Sequence, residues 1–397
     1  MANQSFDTKL PPRLVDDLLG AGRLVTDAVV SVTNVVEAMH AAIAHLPPAI
    51  GRPPVPARTI GLTGFVYNSV RSIARLVGTG ADASLSALAP VLGGPTRSQT
   101  HEAVVAVLNG VFGDHLHATN NPLAVPMQIR QAGKALPLAS DDLARSVLHP
   151  GGRLLVLVHG LCMNDLQWSF GDHDHGQTLA RELGFSPVYL HYNTGRRIID
   201  NGRQFAELLE KFTNAWPVPV EELVFLCHSM GGLVVRTAID SGLAAGHAWS
   251  TRPLRVVFLG TPHHGAPLER VGGWIERLLD LSPYSAPIAK VGGARSAGIR
   301  DLRHGLMRQD GGPMPLPAHV RPYAIAASIN RSHGPRFGAQ GDGLVPVTSA
   351  LGEHPNRAFD LRIPKADRWV AHGIHHLDLL HSEAVYRRIR DWLQGDR

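Results

Sequence analysis

The feature that most constrains the fold of this chain is an alternation of two sequence patterns after residue 150. Short runs of β-branched and other apolar residues alternate there with segments whose apolar residues recur at three- and four-residue spacing. This alternation is typical of βαβ units, which build a mainly parallel sheet with helices on both faces. We predict strands at 154–158, 188–191, 223–227, 256–259, 323–327 and 359–363. We predict helices at 176–183, 198–212, 231–245 and 382–393.

A serine lies between one of these strands and the helix that follows it. The apolar run at 223–227 leads directly to Ser229, and the helical pattern begins just after it. A nucleophilic serine on such a sharp turn has a strained backbone, so the residues two positions away must be small. Gly231 meets this requirement, and the compact Cys227 stands where the G-x-S-x-G pattern has its first glycine. We predict Ser229 as a nucleophile; the alternative is a serine that caps an ordinary helix.

A second strand leads into residues that could bind a developing oxyanion. The run at 154–158 is followed by His159-Gly160-Leu161. We expect the backbone N–H groups of Leu161 and Met230 to form an oxyanion hole beside the nucleophile. By strand geometry, His159 and His228 are predicted to point away from the substrate and to be structural.

A nucleophilic serine needs a base, and the base needs an orienting carboxylate. In a parallel sheet with a serine on a strand-to-helix turn, the chain order is serine, acid, histidine. Asp342 lies between two glycines late in the chain, and His376 precedes the last predicted helix, so we assign them as acid and base. His375 and His372 remain alternatives for the base. Asp310 remains an alternative for the acid, and a solvated turn is the alternative reading of the loop around Asp342.

At these residues the chain resembles bacterial lipases and esterases of the α/β-hydrolase superfamily, and most of all the branch related to GPI inositol-deacylase. The resemblance covers roughly residues 150–395. It rests on Val158-His159-Gly160, His228-Ser229-Met230-Gly231-Gly232, Gly260-Thr261-Pro262-His263-His264-Gly265, Asp342-Gly343-Leu344-Val345-Pro346 and His376-Leu377-Asp378. It implies an α/β-hydrolase fold and a serine hydrolase that cleaves lipid or other acyl esters through an acyl-enzyme. An acyltransferase with the same triad and a non-catalytic binding protein that retains the fold are the alternatives.

No organic cofactor and no metal ion are expected. Some of the lipases resembled bind calcium through an aspartate after the catalytic histidine, here Asp378. Their second calcium aspartate precedes the acid, but no acidic residue lies between Asp310 and Asp342. The closely spaced Asp and His residues at 172–175 are interpreted as a loop that leads into a helix rather than as a metal site. The segment 192–197, with its pair of arginines, is interpreted in the same way rather than as a phosphate site.

The first third of the chain has a different character. We predict an N-terminal helical region at 1–130 and a catalytic domain at 131–397 with a lid-like insertion around 266–320. Two amphipathic helices within residues 10–95 are predicted to pack on the catalytic domain. The alternative is a surface that faces lipid or a partner, because charges between residues 26 and 50 are sparse.

Composition and charge limit which other partners and which cellular location we expect. The net charge is +5 with 22 histidines counted as neutral, and there is no dense Lys/Arg block, so nucleic acid is not an expected partner. The two cysteines, Cys162 and Cys227, are interpreted as small buried thiols. We recognise no secretory signal and no apolar stretch of membrane-spanning length, so a cytoplasmic location is predicted.

Overall fold

In the computed structural model of the protein, residues 99–147, 149–171, 173–265, 296–330 and 341–395 are described. Ten strands lie in these ranges: β1 (Gln128–Gln131), β2 (Lys134–Ala135), β3 (Arg153–Val158), β4 (Ser169–Phe170), β5 (His173–Asp174), β6 (Ser186–His191), β7 (Glu222–His228), β8 (Leu254–Leu259), β9 (Val320–Ser328) and β10 (Arg368–His372). Strands β4 and β5 pair only with each other, and the other strands form one sheet.

This sheet has eight strands in the order β10-β9-β8-β7-β3-β6-β1-β2. Strands β3 and β6 to β10 run parallel, whereas β1 pairs antiparallel with both β6 and β2. After β3 the chain forms β6 on one side of it and then β7 on the other. Such a change of winding direction leaves a crevice at the carboxyl ends of the strands, where ligands of α/β proteins bind.

Eight α-helices lie in the same ranges: α1 (Gln99–Ala118), α2 (Ser140–Ser146), α3 (His175–Leu183), α4 (Ile198–Ala215), α5 (Met230–Ala245), α6 (Ala297–His304), α7 (Val347–Ala350) and α8 (Glu383–Gln394). Helices α3 to α7 lie in the connections between parallel strands, which cannot be joined by tight turns. None of the helices in the described ranges is long and apolar enough to cross a membrane.

Two apolar layers hold the helices on the sheet. Side chains alternate between the two faces along a strand. Val156 therefore packs with Phe205 of α4 and Leu233 of α5 on one face. Its neighbour Leu157 packs with residues of α3 and α8 on the other face. Because both faces are covered, the inner strands consist of almost continuous apolar runs. A mostly parallel sheet with helices on both faces, and a strand-to-helix turn at its centre, is the α/β-hydrolase fold.

Of the strands and helices predicted after residue 150, all but one agree with the structure. Five predicted strands and four predicted helices are confirmed with small shifts of their ends. The strand predicted at 359–363 is wrong, because the edge strand is β10. Arg362 has a φ of 52°, and Pro364 lies two residues after it, so this stretch does not continue as a regular strand. The N–H of Leu361 instead donates to the carbonyl of Gly352.

The chain divides into one unit of residues 102–117 and 124–397 and another of residues 1–101 and 118–123. Strand β1 crosses the predicted boundary between residues 130 and 131, so the sheet begins before the predicted catalytic domain does. Its pairing with β6 places this strand in the sheet. The predicted N-terminal helices, and residues 266–295 of the predicted lid, lie outside the described residues. Within 296–320 the structure contains α6.

Candidate active site

Ser229 occupies a tight turn between β7 and α5. Its φ and ψ angles are 52° and −124°, an uncommon conformation for a residue with a side chain. Its N–H donates to the carbonyl oxygen of Leu259 at 2.9 Å, which ties the turn to β8. A Cβ atom built on Gly231 would lie 2.4 Å from the carbonyl oxygen of Val158, so only glycine fits there. The turn therefore has the strain and the small neighbour that a nucleophile elbow requires.

Asp342 is buried in a loop and is held by backbone amides. Its Oδ1 accepts hydrogen bonds from the N–H groups of Leu344 at 2.9 Å and Val345 at 2.8 Å. Its Oδ2 lies 2.6 Å from Nδ1 of His376. The loop thus presents one fixed carboxylate oxygen to the imidazole.

His376 is buried beside the elbow, and its two ring nitrogens have different surroundings. Nδ1 faces Asp342, whereas Nε2 is buried and has no hydrogen-bond partner among the described residues. The ring lies against Gly260, since a Cβ built on that residue would be 3.0 Å from Cε1. Gly260 directly follows Leu259, which accepts the N–H of Ser229. The structure therefore places the predicted acid and base in contact, and the turn that carries Ser229 is bonded to the residue before Gly260.

His228 connects the elbow to the loop that carries His376. Its Nε2 lies 3.2 Å from the carbonyl oxygen of His376, and the two rings are 4.7 Å apart between centroids. Burial lowers the pKa of His228 well below its usual value of 6.5, so the ring stays neutral. Since a carbonyl oxygen only accepts, Nε2 carries the proton and donates it.

The segment that follows β3 lies next to Ser229. A Cβ built on Gly160 would be 3.0 Å from Cβ of Ser229 and 3.1 Å from Nδ1 of His228. The next residue, Leu161, is buried. Met230 is the first residue of α5, so its N–H belongs to the first turn, where amides have no partner within the helix. Of the two residues whose amides are predicted to bind an oxyanion, Met230 directly follows Ser229 and Leu161 directly follows Gly160, which lies against Ser229.

The alternative acid and base residues have different surroundings. His375 is exposed, and its N–H donates to Oδ2 of Asp378 at 2.7 Å. His372 is the last residue of β10. Asp310 is exposed in a turn, where its Oδ1 accepts the N–H of Gly312 at 3.0 Å. The buried contact of His376 is with Asp342 and not with any of these residues.

His173 lies in β5 and His175 is the first residue of α3, so this segment leads into a helix as the sequence indicates. Asp174 caps α3, because its Oδ1 accepts the N–H of Gln177 at 2.9 Å. Nε2 of His173 lies 2.7 Å from Nδ1 of His175, and Nε2 of His175 donates to the carbonyl of Leu379 at 3.0 Å. Among the residues that the structure describes, no group of three or more His, Cys, Asp or Glu side chains could hold a metal ion.

Two side chains without a predicted role contact the segment after β3. The hydroxyl of Tyr192 donates to the carbonyl of His159 at 2.8 Å. The hydroxyl oxygen of Thr194 accepts the N–H of Cys162 at 3.1 Å. Both residues follow β6, which pairs in parallel with β3. No spacing in the sequence identifies them, because their contacts depend on the pairing of β3 with β6.

Comparisons with known proteins add little beyond the fold. The family described as a domain of unknown function (DUF7379) matches residues 124–293, less than half of the chain. That range includes Ser229 but ends before Asp342 and His376. No curated protein matches the sequence.

Several solved structures resemble the chain. A lipase of Bacillus licheniformis, BlEst2 in its mature form, has 19% identity and a TM-score of 0.41 over 62% of this chain and 95% of that one. An esterase of Pyrobaculum calidifontis has 12% identity and a TM-score of 0.39 over 61% and 75% of the two chains. The Pyrococcus furiosus esterase PF2001 has 13% identity and a TM-score of 0.39 over 62% and 82%. Values this low assign no activity to the chain.

Proposed function

We propose that this protein hydrolyses carboxylic esters through an acyl-enzyme on Ser229. The observation that carries the proposal is the buried 2.6 Å contact between Oδ2 of Asp342 and Nδ1 of His376, beside a strained serine turn. A carboxylate, an imidazole and a hydroxyl in this order are the parts that nucleophilic acyl transfer requires. An ordinary helix cap needs neither the buried pair nor the strained backbone.

The roles follow from the hydrogen-bond pattern. Because Asp342 only accepts, it holds the proton of His376 on Nδ1 and leaves Nε2 free to act as a base. Nε2 takes the hydroxyl proton of Ser229 while Oγ bonds to the ester carbon. The tetrahedral intermediate then collapses, the alcohol leaves with the proton from Nε2, and the acyl group stays on Oγ. Water attacks the acyl-enzyme by the same steps, which releases the acid and restores Ser229.

The backbone amides of Leu161 and Met230 are proposed to bind the oxygen that becomes negative in both intermediates. Donors of this kind are effective because they are fixed before the reaction, in a site from which water is excluded. Loss of one such donor typically reduces kcat by about two to three orders of magnitude. The N-terminus of α5 adds a favourable dipole at the same position.

The proposed substrates are lipid esters or smaller acyl esters, in line with the resemblance to lipases and to the GPI inositol-deacylase branch. An acyltransferase would use the same three residues and deliver the acyl group to an alcohol instead of water. The proposed lipid contact through the N-terminal helices lies outside the described residues.

A panel of p-nitrophenyl esters with acyl chains from acetate to palmitate tests the proposal. We expect the full-length protein to release p-nitrophenol and Ser229→Ala to lose that activity. Product analysis in the presence of glycerol separates the two reactions, since an acyltransferase forms glycerol esters in preference to free acid. Near-normal hydrolysis by Ser229→Ala would refute the proposed nucleophile.

A further inference from the structure

One backbone segment beside the elbow, residues 159–162, is held by side chains on both sides; we call it the oxyanion segment. We propose that His159 and Thr194 fix the direction of the Leu161 amide and are positioning residues for the oxyanion hole. This inference rests on the proposed hydrolase function. It concerns residues that neither bind the acyl group nor transfer a proton during the reaction.

His159 holds the peptide that precedes Leu161. Its Nδ1 lies 3.0 Å from the carbonyl oxygen of Gly160. Burial lowers the pKa of His159 to about 3, so the ring is neutral at ordinary pH and has a single N–H group. Since the carbonyl oxygen only accepts, that N–H is on Nδ1. A neutral, buried donor therefore keeps the carbonyl of Gly160 on the side of the imidazole.

The position of this carbonyl determines where the Leu161 amide points. The carbonyl of Gly160 and the N–H of Leu161 belong to one planar peptide group, and in a trans peptide the two bonds point in opposite directions. The peptide is trans. The imidazole of His159 stacks on Tyr192 with 4.5 Å between ring centroids, whereas Gly160 lies against Ser229. We place the N–H of Leu161 on the side of Ser229, opposite the imidazole.

Thr194 holds the peptide that follows Leu161. Its Oγ1 accepts the N–H of Cys162 at 3.1 Å, and the threonine is buried. Cys162 has a φ of 61°, in the left-handed region that residues with side chains rarely adopt. Such a conformation persists only where surrounding contacts enforce it. A Cβ built on Gly110 would lie 2.2 Å from Sγ of Cys162, so close packing and the Thr194 bond together maintain the turn.

Thr194 is itself held in place by its neighbours. The amide of Asn193 donates to the carbonyl of Gly113 at 2.8 Å, and Asn201 of α4 donates to the carbonyl of Asn193 at 2.9 Å. All the atoms in these bonds are buried side chains or backbone groups. The oxyanion segment thus rests on a fixed support. A positioning role needs such a support, because a mobile hydroxyl could not set the direction of an amide.

A positioning role and a structural role predict different kinetics. An interaction that strengthens only in the transition state lowers kcat and kcat/KM together when it is lost. A side chain that only stabilises the fold lowers the free energy of unfolding and leaves the kcat of the folded fraction unchanged. The two possibilities separate when kcat is expressed per active site, counted by stoichiometric labelling with a fluorophosphonate.

The test compares Thr194→Val, which keeps the shape but removes the acceptor, with Thr194→Ser, which keeps Oγ. For p-nitrophenyl acetate we expect Thr194→Val to lower kcat about tenfold or more with little change in KM, and Thr194→Ser to recover most of it. Thr237→Val is the matched control, because Thr237 is buried and its hydroxyl donates to the carbonyl of Leu233 within α5. It should change stability alone.

The pair His159→Leu and His159→Asn tests the other peptide in the same way, since the Asn amide can replace the Nδ1 donor. It also keeps the inference testable if Thr194→Val does not fold. A kcat per active site equal to wild type in Thr194→Val or His159→Leu would overturn the inference. Equal losses in the conservative and non-conservative variants would overturn it too. An inactive wild-type protein would instead refute the proposed function itself.

Discussion

Oδ2 of Asp342 and Nδ1 of His376 lie 2.6 Å apart in a buried contact between residues 34 positions apart in the chain. The two loops that carry them come after β9 and β10, which are parallel neighbours in the sheet. Parallel strands end at the same edge, so loops that are distant in sequence meet there. Ser229 follows β7 at the same edge, and the fold therefore assembles the site without any local sequence signal for contact.

Asp342→Asn should leave the fold intact and reduce kcat by about four orders of magnitude. An amide in this position can donate to Nδ1, which moves the imidazole proton to Nε2 and removes the base. The variant should keep its far-UV circular dichroism and its urea midpoint close to those of wild type. Rates of p-nitrophenyl acetate hydrolysis provide the measurement.

Asp310→Asn is the control for that experiment, because Asp310 is exposed and bonds within its own turn. We expect wild-type kcat and KM from it. A large loss in Asp310→Asn together with an active Asp342→Asn would show that the acid has been assigned to the wrong loop.

Variants of the adjacent residues His376 and His375 form a matched pair that tests which histidine is the base. His376→Ala should lose ester hydrolysis by several orders of magnitude, because no other group takes the serine proton. His375→Ala should keep most of its activity, since that side chain is exposed whereas the His376–Asp342 pair is buried. Pre-steady-state rates of p-nitrophenol release measure the acylation step directly. If His375→Ala were the less active of the two variants, the base would be His375 and not His376.

Gly231→Ala should weaken both the fold and the nucleophile. Its new Cβ would lie 2.4 Å from the carbonyl oxygen of Val158 and 2.8 Å from that of His159, and backbone atoms cannot move aside cheaply. We expect a lower urea midpoint and slower labelling by a fluorophosphonate. Gly395→Ala, at the end of α8, is the control, where the nearest atom to a new Cβ is 3.2 Å away. Equal behaviour of the two variants would contradict the close packing of the elbow.

Several buried histidines should make the protein less stable in acid. Burial lowers the pKa of His159 to about 3 and that of His175 to about 4, and it holds those of His228 and His263 well below 6.5. The unfolded chain therefore binds more protons than the folded one once the pH falls below about 6.5, and stability decreases in that direction. Each such histidine contributes a slope of up to about 1.4 kcal/mol per pH unit.

Urea unfolding at about pH 7.5 and about pH 5 measures this dependence. We expect the midpoint to fall on acidification while the m-value stays constant. A midpoint that is unchanged or higher in acid would mean that these histidines are charged in the folded protein.

The sequence predicted the inner strands well because both faces of the sheet are covered. Buried parallel strands such as β3 and β7 are unbroken apolar runs, which are easily recognised. The edge strand β10 was missed because its residues are only partly buried and carry polar side chains such as Arg368 and His372. The apolar residues Leu361 and Ile363 gave a stronger pattern, but they pack into the core from a segment that is not a strand.

Within the site, features encoded in a short stretch of sequence were easier to predict than contacts between distant segments. Ser229 could be predicted because strand, turn and helix follow one another in a short stretch. Asp342 and His376 could be proposed from their order in the chain, and the structure puts them in contact. The contact between Thr194 and Cys162 depends on how two strands pair, and no spacing in the sequence encodes it.

The most direct measurement of the central claim is the mass of the protein after reaction with a fluorophosphonate. An activated serine is phosphonylated with loss of fluoride, and tryptic mass spectrometry locates the added group. The account predicts one adduct per chain, on Ser229, that forms on wild type and disappears in Ser229→Ala and His376→Ala. No adduct on folded wild-type protein, or an adduct on a different serine that persists in Ser229→Ala, would contradict it.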